Sequence, residues 1–354
     1  MTINVYNWGV CIAEGSDGVP GTNERFTAET GIKVNYSTFQ SNEEMYAKIA
    51  GEGACFDVIV PSDYMIAKLI ENDMILKLDF KNIPNYSEIS DKHKFLDFDP
   101  WNEYSVPYLW GVVGIFYNEK YVKEKKISWD ILWNPEYKGK ILVFDNLRDA
   151  FAISLIRLKY NINSSNPEHW QKAMIELKKQ RPLLQNYMMD QIFDKLFGEE
   201  AYVASYYCDC GNPNEMFGNP FIHFAVPSEG TNKFVDSMCI PKTCKHKKEA
   251  EMYINFMCKT DISTANAISS CYLSPNIYAD EILSNNPQYQ YCSSIENTQV
   301  LTNLPHEISE LADKLWVDVK ANGTSTLLEK IIFIDTFVIF VLIYPLILLR
   351  KRRS

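Results

Sequence analysis

The sequence predicts an α/β protein made of two lobes. In the first third of the chain, short apolar segments with the two-residue period of strands alternate with helix-like segments. A second strand–helix unit begins near residue 141, after a long extended segment rich in aromatic residues. The length of 354 residues agrees with this prediction, because domains contain roughly 150 residues each.

The first third of the chain predicts repeated strand–helix units. Residues 3–8 alternate apolar and polar side chains, which is typical of a strand. Ser41 and Glu44 have the spacing of a capping box and indicate the start of a helix. Such units imply a parallel sheet that is buried on both faces. The predicted elements here are strands at residues 3–8, 32–36 and 56–60 and helices at residues 43–50 and from 63 to about 71.

The rest of the chain predicts a crossing segment followed by a second lobe. Residues 104–118 are long, extended and aromatic, and we expect them to cross between the lobes. A strand at residues 141–144 then leads into the polar sequence DNLRD and a helix to about residue 160. The remaining predicted elements are a short helix and turn at 128–139, strands at 201–207, 221–226 and 234–240, and helices at 167–180, 247–258, 261–269, 276–284 and 307–320.

The chain is acidic. Its 45 Asp and Glu residues outnumber its 35 Lys and Arg residues, which gives a net charge of −10. This sign argues against a nucleic-acid partner, which needs a basic face, and favours cationic partners. Aromatic residues make up 13% of the chain, and ring faces attract cations, although packing explains the same excess.

Motifs for catalysis and metal binding are missing from the sequence. It has no G-x-S-x-G, phosphate-loop, G-x-G-x-x-G or H-E-x-x-H motif. Its nine cysteines cannot all pair with one another, and most are expected to be small buried hydrophobic residues. Neither residues 208–210 (CDC) nor Cys239, Cys244 and His246 have structural-zinc spacing, so we expect no metal and no cofactor. The five histidines lie in polar contexts and are predicted to be at the surface.

The C-terminal segment predicts a membrane-spanning helix. Residues 331–349 are almost entirely apolar, and their 19 residues just span a hydrocarbon core of about 30 Å. A basic tail follows at residues 350–354, which is rare after a buried globular helix. Asp335 lies one turn inside the predicted span, where a carboxylate can reach the interface.

The predicted span creates a conflict about topology. A basic tail should stay in the cytoplasm, which places residues 1 to about 326 outside the cell. Such a domain needs a secretory signal, and none precedes the first predicted strand. Three explanations stay open: an incomplete or trimmed N-terminus, a gene rearrangement, or a tail-anchored domain inside the cell.

Side chains of two chemical kinds follow the predicted strands. Ligands of parallel α/β sheets bind beyond the carboxyl ends of the strands, so we expect these side chains to line one crevice. Flat rings suit aliphatic methylenes, and separated carboxylates suit ammonium groups that have lost their water, so the combination suits a linear polyamine. Alternatively, aspartates such as Asp63 and Asp149 cap the helices that follow them. The aromatic candidates are Trp8, Tyr64, Tyr206 and Phe234, and the carboxylate candidates are Asp63, Asp149, Asp209 and Asp236.

Five sequence blocks carry a resemblance to a known family. They are TGIKVNY at residues 30–36, SNEEMYAK at 41–48, DVIVPSDY at 57–64, YKGK at 137–140 and EGTN at 229–232. Together, over about residues 2–321, the chain resembles the spermidine/putrescine-binding proteins of polyamine ABC importers. The resemblance implies a periplasmic-binding-protein fold, in which two α/β lobes joined by crossing hinge strands close over one ligand without catalysis. We expect lobe I to comprise residues 1–108 and 237–273, and lobe II residues 109–236 and 274–326.

The resemblance also implies roles for single residues. Trp8 would stack on the carbon chain of the amine, and Asp236 would be the central carboxylate that pairs with an ammonium group. The other implied contacts are Ser62 and Tyr64 in the first lobe, Asn146 and Asp149 at the mouth of the second-lobe helix, and the aromatic walls Tyr206 and Phe234.

The sequence departs from the family pattern at several positions. Val10 and Cys11 stand where the family usually has an acidic residue and a tyrosine. Asn146 stands in place of an aspartate, and Phe234 in place of a tryptophan. Because fewer carboxylates leave fewer partners for ammonium groups, we expect a shorter diamine such as putrescine, or weaker binding. The membrane-spanning tail is also unusual for the family.

These observations predict a non-catalytic receptor. It would deliver putrescine or spermidine to ABC permease subunits from an extracytoplasmic, membrane-associated position, with no nucleic-acid partner. The alternative is a membrane-tethered sensory or interaction protein that keeps the fold with weak or no polyamine binding. A cysteine-dependent enzyme that uses Cys11 or Cys208 is the least favoured hypothesis.

Overall fold

The protein is described by a computed structural model that covers residues 1–9, 11–16, 18–51, 53, 55–189, 191–208, 219–285 and 297–321. Its strands are β1 (Thr2–Trp8), β2 (Gly15–Ser16), β3 (Val19–Pro20), β4 (Lys33–Phe39), β5 (Val58–Ile59), β6 (Ser105–Asn118), β7 (Ile141–Phe144), β8 (Leu184–Met188), β9 (Val203–Cys208), β10 (Ile222–Ala225), β11 (Thr231–Cys239) and β12 (Thr298–Val300). Its α-helices are α1 (Thr22–Thr30), α2 (Asn42–Ala50), α3 (Asp63–Glu71), α4 (Leu147–Arg157), α5 (Pro167–Gln180), α6 (Ile192–Phe197), α7 (Lys247–Met257), α8 (Thr260–Ser270), α9 (Ile277–Ser284) and α10 (His306–Ala321). Short 3-10 helices occur at Phe80–Asn82, Pro84–Glu88, Asp91–His93, Trp129–Trp133, Pro135–Tyr137 and Arg181–Leu183.

Most of the predicted helices and strands are confirmed to within a few residues. The predicted helix start at Ser41 is confirmed, because the Ser41 hydroxyl accepts a hydrogen bond from the Glu44 N–H at 3.1 Å. The Glu44 carboxylate accepts from the Gln40 N–H at 2.9 Å, one residue before the position that a capping box requires. Elements that were not predicted are α1, α6, β2, β3, β8 and β12, which are short and lack a strong apolar period.

The main sheet is mixed. Its strand order is β4-β1-β5-β11-β6-β9-β7-β8, with β10 paired to β6 and β12 paired to β11. β1 is parallel to β4 and β5, and β7 is parallel to β8 and β9. The predicted parallel sheet is confirmed for these strand–helix units, whereas β6 and β11 are antiparallel to each other. β11 is also antiparallel to β5, its neighbour in the first group of strands, and β6 is antiparallel to β9, its neighbour in the second group.

β6 and β11 connect the two groups of strands. The start of β6 pairs with the end of β11, which also pairs with β5 through Cys239 and Ile59. The second half of β6 pairs with β9 and β10, so the predicted crossing segment is confirmed as one continuous strand. The pairing of β6 with β11 shifts register between Asp236 and Ser237, and such a bulge bends and twists a strand.

The predicted membrane span 331–349 and basic tail 350–354 lie outside the described residues, and within the described part of the chain no helix is long and apolar enough to cross a membrane. His93 is buried, which corrects the prediction that all five histidines lie at the surface. Within the ranges given above, no group of three or more His, Cys, Asp or Glu residues could hold a metal ion.

Candidate ligand-binding cleft

A cavity opens between the two groups of strands, next to β6 and β11. It holds about 630 Å³ of empty space, a figure that includes space open to solvent. Nine of the ten predicted site residues lie on its wall: Trp8, Ser62, Asp63, Tyr64, Asn146, Asp149, Tyr206, Phe234 and Asp236. The tenth, Asp209, lies outside the described residues, as does Val10.

The ends of strands and the starts of helices place these side chains together. Trp8 is the last residue of β1, Asp63 is the first residue of α3 after β5, and Asn146 precedes α4 after β7. The carboxyl ends of parallel strands in both groups therefore face one gap. This agrees with the expectation that ligands of parallel α/β sheets bind beyond the carboxyl ends of the strands.

Asp236 is a buried carboxylate on the cavity wall. It is buried on β11, and its Oδ1 accepts a hydrogen bond from the Ser62 hydroxyl at 2.6 Å. Its Oδ2 has no hydrogen-bond partner among the residues that the structure describes. Burial raises the pKa of Asp236 to about 7, the Ser62 hydrogen bond opposes this shift, and the charge of Asp149 adds to it. An ammonium ion at Oδ2 would favour the ionised form.

Asp149 is held by two neighbouring side chains. Its Oδ2 accepts a hydrogen bond from the Tyr207 hydroxyl at 2.5 Å, and its Oδ1 accepts one from the Asn232 amide at 2.5 Å. Burial raises the pKa of Asp149 to about 6, while these two hydrogen bonds lower it. The capping alternative is wrong for Asp149, because Asn146 caps α4 by accepting from the Arg148 N–H at 3.1 Å.

Asp63 fits the capping alternative more closely. Its Oδ1 accepts a hydrogen bond from the N–H of Tyr64 in the first turn of α3 at 2.7 Å. Its Oδ2 accepts from the N–H of Val235 at 3.2 Å and so ties α3 to β11. Burial raises the pKa of Asp63 well above its ordinary value. Asp63 lies on the cavity wall, but both of its oxygens already accept backbone hydrogen bonds.

Aromatic rings line both sides of the cavity. The ring centres of Trp8 and Phe39 are 4.5 Å apart. On the opposite wall, the ring of Phe234 packs edge-on against Tyr207 at 5.4 Å and against Tyr272 at 5.1 Å. These faces provide apolar walls and can also attract a cation.

A buried guanidinium lies beside the cavity. The guanidinium carbon of Arg148 is 5.0 Å from the ring centre of Tyr64. Its Nη atoms both donate to the Thr302 carbonyl at 3.1 Å, and Nη2 also donates to Asn163 Oδ1 at 3.2 Å. Arg148 thus adds a fixed positive charge near Asp63 and Asp149, and the sequence analysis assigned it no role.

The sequence analysis missed several wall residues. Tyr207 is the most informative, because its hydroxyl accepts from the Asn146 amide at 2.9 Å and donates to Asp149. Gln40 follows β4 as Ser62 follows β5, so its position after a strand was a signal that could have identified it. Tyr272 follows a helix, and no local signal marks it. The missed wall residues are Gly9, Phe39, Gln40, Asn42, Met189, Tyr207, Tyr272 and Leu301, and Cys11, noted only as a departure from the family pattern, also lies on the wall.

These features define a class of protein that binds a small ligand between two α/β lobes. The chain belongs to the bacterial extracellular solute-binding protein family, which it matches over residues 55–303. Membership of this family makes it a solute-binding protein and not an enzyme.

Known relatives support the same assignment. The chain is 35% identical over 285 residues to the spermidine/putrescine-binding periplasmic protein of Escherichia coli (strain K12), with 80% of each chain covered. It is similar to the structure of a candidate spermidine/putrescine ABC transporter from Listeria monocytogenes, with a TM-score of 0.83, 34% identity, and 90% of this chain and 99% of that chain covered. The spermidine/putrescine ABC transporter substrate-binding protein from Streptococcus pneumoniae gives a TM-score of 0.74 and 31% identity, with 90% and 98% covered. The resemblance predicted from the five sequence blocks is confirmed, and with it the periplasmic-binding-protein fold.

Proposed function

We propose that this protein binds a linear polyamine, putrescine or spermidine, in the cleft and delivers it to the permease subunits of an ABC importer. One observation carries the proposal: buried carboxylates and flat rings line the same cavity, and among the described residues one oxygen of Asp236 has no hydrogen-bond donor. The ligands in the names of the relatives support the same chemistry.

Each part of the amine has a partner on the cavity wall. One ammonium group pairs with Asp236 Oδ2, and the methylenes lie against the rings of Trp8 and Phe234. A second ammonium group lies toward Asp149. Removing these ammonium groups from water is costly unless each gains a carboxylate or a ring face, so the spacing of the partners selects the ligand.

The cleft favours a short diamine over a longer triamine. Asn146 is neutral, burial raises the pKa of Asp63 well above its ordinary value and so favours its uncharged form, and Arg148 places a positive charge close to that end of the wall. A third ammonium group would therefore lack a counter-ion and would approach a guanidinium. We propose that putrescine binds more tightly than spermidine.

We propose that the lobes comprise residues 1–108 with 237–273 and residues 109–236 with 274–326. The register shift between Asp236 and Ser237 falls at one of these boundaries and supports a hinge there. The hydrogen bond from Ser62 to Asp236 then joins the two lobes directly. A ligand that contacts both lobes favours the closed state, because its affinity is higher there.

The proposed site of action is outside the cytoplasm, as the description of the family supports. Residues 331–349 would hold the protein at the membrane, with the basic tail 350–354 on the cytoplasmic side.

Calorimetric titration of the full-length protein with putrescine and spermidine tests the function. Butane-1,4-diol is the control, because it keeps the carbon chain and lacks both charges. We expect both amines to bind and the diol to release no heat. No heat and no shift in melting temperature at millimolar amine would instead support the membrane-tethered sensory or interaction protein, which the thiol of Cys11 on the cavity wall favours.

A further inference from the structure

Helix α3 of the proposed first lobe is contacted by side chains of the proposed second lobe. Arg148 of α4 and Asn303, which lies between β12 and α10, both reach α3. Tyr64 of α3, Arg148 and Asn303 border one narrow cavity between these elements. Arg148 and Asn303 do not belong to the wall of the cleft, so the two lobes also meet outside the ligand-binding site.

The first contact is that of the Arg148 guanidinium with the ring of Tyr64. The guanidinium carbon lies 5.0 Å from the ring centre, and both side chains are buried. A contact between a cation and a ring is stronger when water is excluded from it. The ring is held within the first lobe, because the Tyr64 hydroxyl accepts a hydrogen bond from the Asn42 amide at 3.1 Å and donates one to the Glu43 carboxylate at 3.0 Å.

The guanidinium is held just as firmly within the second lobe. It donates hydrogen bonds to the Thr302 carbonyl and to the side-chain oxygen of Asn163. Asn163 is itself fixed, because it accepts from the Thr302 N–H at 2.9 Å and donates to the Val300 carbonyl at 2.8 Å. Since the ring and the guanidinium are each held by their own lobe, bringing them together orders little additional structure.

The second contact is made by Asn303, the residue after Thr302. Its amide donates a hydrogen bond to the carboxylate of Glu71, the last residue of α3, at 2.5 Å. One short segment of the second lobe therefore holds Arg148 and also bonds to α3 directly. Each of the two contacts joins residues on opposite sides of the proposed lobe boundary, so both would be lost if the lobes moved apart.

We propose that Arg148 and Asn303 are positioning residues that hold the lobes closed over the amine without touching it. We call the contacts of Arg148 with Tyr64 and of Asn303 with Glu71 the α3 latch. The proposal rests on the function and the lobes proposed above. Apparent affinity scales with the fraction of protein in the binding-competent state, so a latch that favours the closed state raises the affinity for every amine that the cleft accepts. Because a ligand leaves only after the lobes open, the latch acts mainly on the dissociation rate.

Stopped-flow measurement of putrescine association and dissociation with the full-length protein tests the latch. Arg148→Lys keeps the positive charge but loses the planar guanidinium, and should raise the dissociation rate about fivefold to tenfold. Asn303→Ala removes one hydrogen bond between partly exposed groups, and should raise it about twofold to threefold. In both variants the association rate and the binding stoichiometry should stay as in the wild type, whereas a purely structural defect would lower the stoichiometry. Spermidine affinity should fall by the same factor as putrescine affinity.

Two control variants make the same substitutions within a single lobe. Arg157→Lys alters a guanidinium on the same helix that lies 4.6 Å from the ring centre of Trp133, and Asn72→Ala removes an amide that donates to the Lys68 carbonyl within the first lobe. Both should dissociate putrescine at the wild-type rate.

Small-angle scattering of the unliganded proteins tests the latch without an amine. Arg148→Lys should have a larger radius of gyration than the wild type and Arg157→Lys. Should neither amine bind to the wild type, the proposed function fails, and scattering alone decides on the latch. Dissociation rates, or in that case radii of gyration, that are equal in the wild type, Arg148→Lys and Asn303→Ala overturn the proposal.

Discussion

The two faces of the crossing strands differ in the sign of their buried charge. On the cleft face, burial raises the pKa values of Asp149 and Asp236. On the rear face, burial lowers the pKa values of Lys233 and His93. Both shifts have one cause, since burial disfavours the charged form of any group. The cleft face therefore holds carboxylates that a bound cation would stabilise, and β11 carries Asp236 and Lys233 three residues apart.

The strongest test of this difference is to remove the central carboxylate of the cleft. Asp236→Asn should lower the affinity for putrescine by at least about 100-fold, because breaking a buried ion pair costs roughly 3–5 kcal/mol. Calorimetric titration measures the change. Asp73→Asn is the control, since its carboxylate is exposed and pairs with Lys242 at the surface. Equal affinity in the wild type and Asp236→Asn would remove Asp236 from the site.

A fall in pH should gradually weaken the binding of putrescine in the cleft. Asp236 and Asp149, with pKa values of about 7 and about 6, take up protons as the pH falls, while the amine stays charged. Putrescine affinity should fall by up to about 1000-fold between pH 8 and pH 5, with a shallower slope in Asp236→Asn.

The stability of the unliganded protein should change with pH in the opposite direction. The folded-state pKa values of both aspartates lie above the unfolded value near 3.9, so their contribution is largest below that value and is lost as the pH rises through 6 and 7. A melting temperature and an affinity that rise together with pH would contradict these assignments.

The aromatic wall should contribute less than the carboxylate. Trp8→Ala should lower putrescine affinity by roughly 5- to 30-fold, since a desolvated cation–ring contact contributes about 1–2 kcal/mol. Trp101→Ala is the matched control, because Trp101 is 79% exposed. A loss of affinity as large as that of Asp236→Asn would mean that Trp8 stabilises the fold as well as contacting the ligand. The melting temperature of Trp8→Ala distinguishes the two effects.

The smallest expected effect is a change of preference between amines. Asn146→Asp keeps the cap of α4, because aspartate caps as well as asparagine, and it adds a charge at the second-lobe wall. The ratio of spermidine to putrescine affinity should rise about threefold to tenfold, measured by competition. Asn134→Asp changes a cap far from the cleft and should leave the ratio unchanged. A ratio unaffected by Asn146→Asp would show that residue 146 does not select the amine.

Local patterns predicted the scaffold of the cleft well. Strand ends and helix starts depend on short stretches of sequence. The positions of Trp8, Ser62 and Asn146 near strand ends could therefore be predicted from the sequence. The crossing strand β6 was also recognisable, because its run of apolar and aromatic residues is long and uninterrupted.

Contacts between distant parts of the chain were not predictable in the same way. Tyr272 reaches the cleft from the end of a helix, and Arg148 is held by a carbonyl more than 150 positions away. His93 lies between two lysines in sequence, which indicates a surface residue, but Trp110 from a different element covers it. The two roles of Asp63 could be separated only when the partners of its oxygens were known.

The position of the bulge in β11 has a thermodynamic consequence. Because it lies between Asp236 and Ser237, at a proposed lobe boundary, bending there would move Ser62 of the first lobe relative to Asp236 of the second. Opening would then break the hydrogen bond from Ser62 and return the Asp236 carboxyl to water, which changes its pKa. By linkage, the open and closed states would hold different numbers of protons, so the balance between them would shift with pH even without an amine.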